Sequence, residues 1–156
     1  MKKIVVFFVL LLLICWAVAA HAVDIAAIDK ISVLMPREKV ITILGAPAEK
    51  TVMANGLIVE IYPASNALPL IHTGCIYDSK KNLVGQSFVF FGNTGDEILQ
   101  RLKVHGYVPL QQEGGFRRLA GFDDDTGRPV ILVIEHHENL TTITTFEKNF
   151  YEGLTR

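Results

Sequence analysis

The sequence predicts an α+β fold, with short helices packed on one face of an antiparallel sheet. Three observations predict it. Apolar residues recur at helical spacing before residue 45 and again between residues 94 and 106. From residue 50 the apolar period changes to two, in runs rich in Val, Ile, Thr and Phe that are separated by Asn, Asp and Gly. The resulting order is helix, helix, strands, helix, strands, which one antiparallel sheet accommodates.

Along the chain, Ile25, Ile28 and Ile31 lie three apart and predict a short amphipathic helix. The stretch "MPREKVITILGAPAEK", residues 35–50, predicts the next. Pro36 suits the first helical position, and Val40, Ile41, Ile43 and Leu44 form the apolar stripe. Gly45 fits the left-handed position beyond a helix end, and Pro47 cannot continue the helix. A phosphate loop needs its glycines before a helix and a Lys-Ser/Thr pair with them. Here the glycine follows the helix, so order alone excludes that reading. Ala54, Asn55 and Gly56 predict a hairpin turn. A second hairpin turns at Asp78 to Asn82, and its return strand ends in Phe88, Phe90 and Phe91.

In "NTGDEILQRLKVHGY", Thr94 and Glu97 match a capping box, Ile98, Leu99 and Leu102 supply a buried face, and Gly106 closes the helix. Three further strands, "GFRRLAGF", "RPVILVIEH" and "LTTITTFE", turn at Asp123 to Gly127 and at His137 to Asn139. A last helical turn is expected to pack Phe150 and Tyr151 back on the sheet. Gly45 and Gly106 close comparable helices, and the turns "YDSKKNL" and "FDDDTGRPV" have similar surroundings. Together they suggest two related halves, 23–92 and 93–156, within one domain spanning residues 23–156.

Residues 1–22, "MKKIVVFFVLLLLICWAVAAHA", follow the layout of a cleaved signal peptide: Lys2 and Lys3, an apolar run, then Ala20-His21-Ala22. The apolar run, about 16–17 residues, sits at the lower limit for spanning a bilayer, which favours cleavage over a retained anchor. Cys15 follows Ile14 and precedes Trp16, bulky neighbours that do not suit a lipidation site. Export to the periplasm or cell envelope is therefore expected, with at most peripheral membrane association after cleavage. Cleavage removes Lys2 and Lys3, leaving 13 basic against 16 acidic side chains, from 15 and 16 in the whole chain. That balance, with no basic stripe, excludes nucleic acid as a partner. Cys75 is then the sole cysteine, so the mature monomer has no internal disulfide, and its strand context predicts a buried core thiol.

The run "ISVLMPREKVITILGAPAEK" resembles the signature of the SmpA/OmlA (BamE-like) envelope domain, through Met35, Val40, Leu44, Gly45 and Pro47 and the tyrosine-ending strand "LIVEIYP". The resemblance covers residues 24 to 91. Where the family carries glycine before the methionine this chain has Leu34, and where it carries Ser or Thr after it, Pro36. The resemblance implies a two-helix-plus-sheet fold, shared with the β-lactamase inhibitory proteins, which carry it in tandem copies. It also implies structural roles for Val40, Leu44, Gly45 and Pro47, and it carries over no catalytic residue.

Four groups of residues invite chemistry. In "IEHHENL", Glu135, His136, His137 and Glu138 are all capable metal ligands. Metalloprotease histidines lie four apart on a helix, whereas these are adjacent and point to opposite faces of a strand. Only one of the pair, His136 or His137, can then share an ion with a distant residue such as His72 or His105. "FDDDTGRP" fails as a calcium loop: counting from Asp123, position six is Arg128 and position twelve is Ile134, where Gly and Glu are required. No Gly-x-Ser-x-Gly is present, and Cys75 has no local catalytic signature. The strand "LTTITTF" places Thr142, Thr144 and Phe146 on one face, opposite Thr141, Ile143 and Thr145.

The expected function is that of an exported, non-enzymatic envelope protein, without catalytic residues or cofactor, that binds another envelope protein through an exposed sheet face. Phe88, Phe90, Thr142, Thr144 and Phe146 are the expected contact residues, with Arg117, Arg118 and Tyr107 at the rim. The alternatives are a periplasmic metal- or small-ligand-binding protein using His136 and His137, or an inhibitor of a periplasmic hydrolase.

Overall fold

The computed structural model describes residues 23, 25–64, 70–113 and 116–154; the expected signal segment, residues 1–22, lies outside them. Two short helices come first, α1 (Ile25–Ile28) and α2 (Arg37–Leu44). Four strands follow, β1 (Glu49–Val52), β2 (Ile58–Pro63), β3 (Leu70–Tyr77) and β4 (Leu83–Phe91). After α3 (Gly95–Val104) come β5 (Val108–Glu113), β6 (Phe116–Phe122), β7 (Pro129–His137) and β8 (Leu140–Glu147), and then α4 (Lys148–Leu154). Among the described residues no helix is long and apolar enough to cross a membrane.

All eight strands form one antiparallel sheet in the order β1-β2-β3-β4-β8-β7-β6-β5. Residues 37–91 and 95–147 thus run through the same series, a helix and then a four-stranded meander, and the two meanders join through their last strands. The turns that look alike in sequence are not equivalent in this series: one joins β3 to β4, the other β6 to β7.

The α+β expectation is corrected: the molecule is predominantly β. Among the described residues eight strands outweigh four helices, of which the longest has ten residues and α1 only four. The helices are also not confined to one face. β5 is a strand the sequence pattern concealed, because Pro109 interrupts "VPLQQE". At the sheet's edge the missing N–H removes no essential ladder bond, so proline is tolerated there.

Two rows of register partners define the faces. Tyr62, Thr73, Phe88, Ile143, Ile134 and Arg117 lie side by side across β2, β3, β4, β8, β7 and β6 on one face. Helices α1 to α3 cover this face. Under α1 and α2 lie Ile28, Ile31, Val40, Leu44, Tyr62, Cys75 and Tyr77; under α3, Leu99 meets Leu119, Leu132, Ile134 and Ile143. Phe90 packs against both clusters and so makes the two cores continuous.

The other face carries Ile61, Gly74, Ser87, Thr144, Val133 and Arg118 in one row. Among the described residues only α4 folds onto it, against β7 and β8, with Phe150 and Tyr151 on the Phe146 ring at centroid distances of 6.3 and 5.5 Å. The buried Glu147 carboxylate starts α4 by accepting the Phe150 N–H at 2.8 Å, as an N-cap side chain does.

Candidate functional site

The part of the second face that no described helix covers is the candidate surface, and its shape follows from side-chain size. Gly74 and Ser87, adjacent in the central row, are small, whereas the neighbouring row holds Val59, Ile76, Gly85 and Phe146. The Phe146 ring lies across Gly85 against Ile76: a Cβ at position 85 would stand 3.0 Å from Phe146 and 3.1 Å from Ile76. With Ile61 and His72 completing the wall, these residues enclose a hollow of about 240 Å³, mostly apolar. Thr144 Oγ1 donates to Ser87 Oγ at 3.1 Å across the strands, so the hydroxyls at the hollow's centre are paired with each other. Beyond it, Phe91 and Leu140 are register partners on this face, and Phe91 is 64% exposed.

The structure divides the five expected contact residues. Thr142, Thr144 and Phe146 stand on this second face, as their alternation with Ile143 requires. Phe88 and Phe90 face the helices and pack against the core clusters. In "SFVFF" both phases of alternation place an aromatic on each face, so only the pairing Phe88↔Ile143 decides which ring turns inward. Val59, Ile61, Ile76 and Ser87 enter instead. The alternation of Val59 and Ile61 with Glu60 points the other way in the sequence, since a carboxylate is ordinarily the exposed residue; only the pairing of the buried Glu60 with Arg37 reverses it.

Of the expected rim, Arg118 lies on the second face, whereas Arg117 turns to the helix side and pairs with Asp96 at 2.5 Å. Tyr107 lies on the helix side as well, flat on Gly121, where a Cβ would stand 2.4 Å from the ring.

His136 and His137 point to opposite faces. His136 Nδ1 is 3.3 Å from the Thr141 hydroxyl, and His137, almost fully exposed, has Glu138 at 3.8 Å. His72 borders the hollow on β3 and His105 caps the end of α3, so they stand on different elements from the histidine pair. Among the described residues no three His, Cys, Asp or Glu side chains group to hold a metal ion.

The densest set of titratable groups lies under α2. Glu60, fully buried, accepts from Arg37 Nε at 2.9 Å and from the Tyr62 hydroxyl at 3.2 Å, and Arg37 Nη2 completes the pair. Tyr77 and Cys75 are buried beside them. Burial pushes the Cys75 thiol up to about 12, and it raises both tyrosines. A thiol so held stays protonated and unreactive at neutral pH. The arrangement anchors a helix; it does not generate a nucleophile.

The structural residues of α2 are accounted for in the same region. Val40 and Leu44 are buried in the first core, and Gly45 ends the helix with its N–H on the Ile41 carbonyl at 2.8 Å. Gly45 has φ 84° and ψ −167°, a mirror-image extended conformation rather than the expected left-handed helical one. Only glycine occupies that region without strain. Pro47 follows in the link to β1.

Comparison with known families, with curated proteins and with solved structures finds no match, so the function is argued from this geometry.

Proposed function

We propose that this chain is an exported, non-enzymatic envelope protein that binds another protein through the second sheet face. The observation that carries the reading is the hollow around Gly74 and Ser87, walled by apolar side chains and continued by the exposed pair Phe91 and Leu140. An apolar hollow on a sheet face that none of the described helices covers is a surface that association with a partner would bury. The hollow supplies a recess for an anchoring side chain, and its small floor residues allow close approach of a partner's backbone.

The signal-like segment 1–22 supports export. The envelope-domain resemblance gains support from Leu34. It stands where the family has glycine, and its φ is 64°, a backbone region that glycine enters at no steric cost.

Site-specific photocrosslinking in cells tests the reading, with the probe at Ser87, Thr144 or Phe91 and a helix-side control at Gln100. One protein is expected to crosslink from all three positions and not from the control. Ile61→Asp, which puts a charge into the hollow's wall, is expected to lower that yield at least tenfold at unchanged protein level. Crosslinks that are absent, or equal from both faces, would overturn the proposal.

A further inference from the structure

The sheet ends at β1 on one side and at β5 on the other. Such an edge presents unpaired N–H and C=O groups, and proteins guard it with charge, proline, bulges or short length. β1 is guarded: it has four residues, and two of them, Glu49 and Lys50, are charged. β5 is guarded only where it begins. Pro109 has no N–H to offer, and the register shifts between Pro109 and Gln111. From Gln111 the strand runs in regular register, Gln111 with Arg118, Gln112 with Arg117 and Glu113 with Phe116.

This part of the edge is bare and neutral. Leu110, Gln111 and Gln112 are all exposed, Leu110 by 51%, and none of them is charged. Among the described residues no hydrogen bond or ion pair engages either glutamine side chain. The amides narrow what can cover the edge. A glutamine side chain carries both an acceptor oxygen and an NH2 donor, so its own copy can satisfy it, as no lysine, arginine or carboxylate can be satisfied. Antiparallel pairing about a two-fold axis sets a strand against its own copy, where like charges repel and like amides pair.

We propose that β5 pairs antiparallel with β5 of a second copy of this chain, so that the sheet continues across a two-fold axis. The axis passes beside Gln111, which faces the partner's Gln111, and Leu110 faces the partner's Gln112. Main-chain hydrogen bonds join the two edges, the Gln111 amides pair across the axis, and the exposed Leu110 packs along a glutamine stem. The contact is small, so the dimer is weak, with a dissociation constant on the order of 100 μM. The hollow is walled by β2, β3, β4 and β8, and a dimer through β5 leaves it open. This assignment therefore stands or falls independently of the partner proposed above.

The test is sedimentation of the purified chain from about 10 μM to about 1 mM, over which a reversible monomer–dimer equilibrium is expected. Gln111→Lys sets two ammonium groups against each other at the axis. It is expected to weaken the dimer at least tenfold with an unchanged melting temperature, since the side chain it replaces is exposed and unpaired. Val52→Lys, the same change at the other edge, is expected to leave the dimer intact. Under a mild oxidant Gln111→Cys is expected to give a disulfide-linked dimer and Val52→Cys is not; Cys75 is buried and does not compete. A chain that stays monomeric throughout, a dimer unaffected by Gln111→Lys, or linking from Gln111→Cys no greater than from Val52→Cys would each overturn the assignment.

Discussion

At the scale of single residues, burial decides chemistry that residue type leaves open. Cys75 is fully buried, and its thiol is pushed from an ordinary 9.0 up to about 12 by desolvation. The consequence for stability has a definite sign. Below pH 9 the thiol is protonated in both the folded and the unfolded chain, so it contributes no pH dependence. Between about 9 and about 12 the unfolded chain loses this proton and the folded chain keeps it, so stability falls as pH rises. Urea unfolding is expected to show that decline, reduced in Cys75→Val, and a disulfide reagent at pH 8 is expected to label the thiol only after unfolding. Labelling of the native chain at the rate of a free cysteine would show the burial to be wrong. The core position of this residue was legible in its strand context. Thr94 was not: its hydroxyl is buried without a partner and makes no cap, while its N–H donates to the Thr141 hydroxyl at 3.1 Å. A capping box is a local motif, and here a contact from a strand 47 positions away displaced it.

At the scale of elements, α2 is short, and one ion pair sets how it lies on the sheet. Arg37 opens the helix and reaches the fully buried Glu60 on β2, 23 positions away. Arg37→Ala leaves that carboxylate without its cation, a change that costs about 3–5 kcal/mol in comparable buried pairs. Denaturant unfolding is expected to show a loss of that order, with a smaller loss when Arg37→Met is combined with Glu60→Leu. A double variant less stable than Arg37→Ala would mean that the pair is a net source of stability. The end of α2 was readable from Gly45 and Pro47, and the end of α3 from Gly106. At Gly106 the Tyr107 N–H reaches the Leu102 carbonyl at 3.0 Å and the Gly106 N–H the Lys103 carbonyl at 3.2 Å. β5 was hidden because Pro109 argues against a strand unless the strand's place at the edge is known.

At the scale of the whole molecule, the two meanders share a seam of seven register pairs, from Gly85↔Phe146 to Phe91↔Leu140. Phe90 belongs to both cores, and Asp123 of the second half holds the Val33 N–H of the first. Neither half can open without exposing the other's apolar surface. Calorimetry is therefore expected to show one cooperative transition with equal calorimetric and van't Hoff enthalpies; two resolved transitions would mean that the halves fold separately. The sequence by itself determined the local events: helix stops at glycine, Asx turns at Asp78 and Asp123, and the alternation that puts Thr142, Thr144 and Phe146 together. These depend on backbone sterics and hydrogen bonds within a few residues. Only the tertiary structure decided that β dominates, that α4 crosses to the second face, and that Phe88 and Phe90 turn away from the hollow. Those outcomes depend on register between strands far apart in the chain, which a one-residue shift reverses.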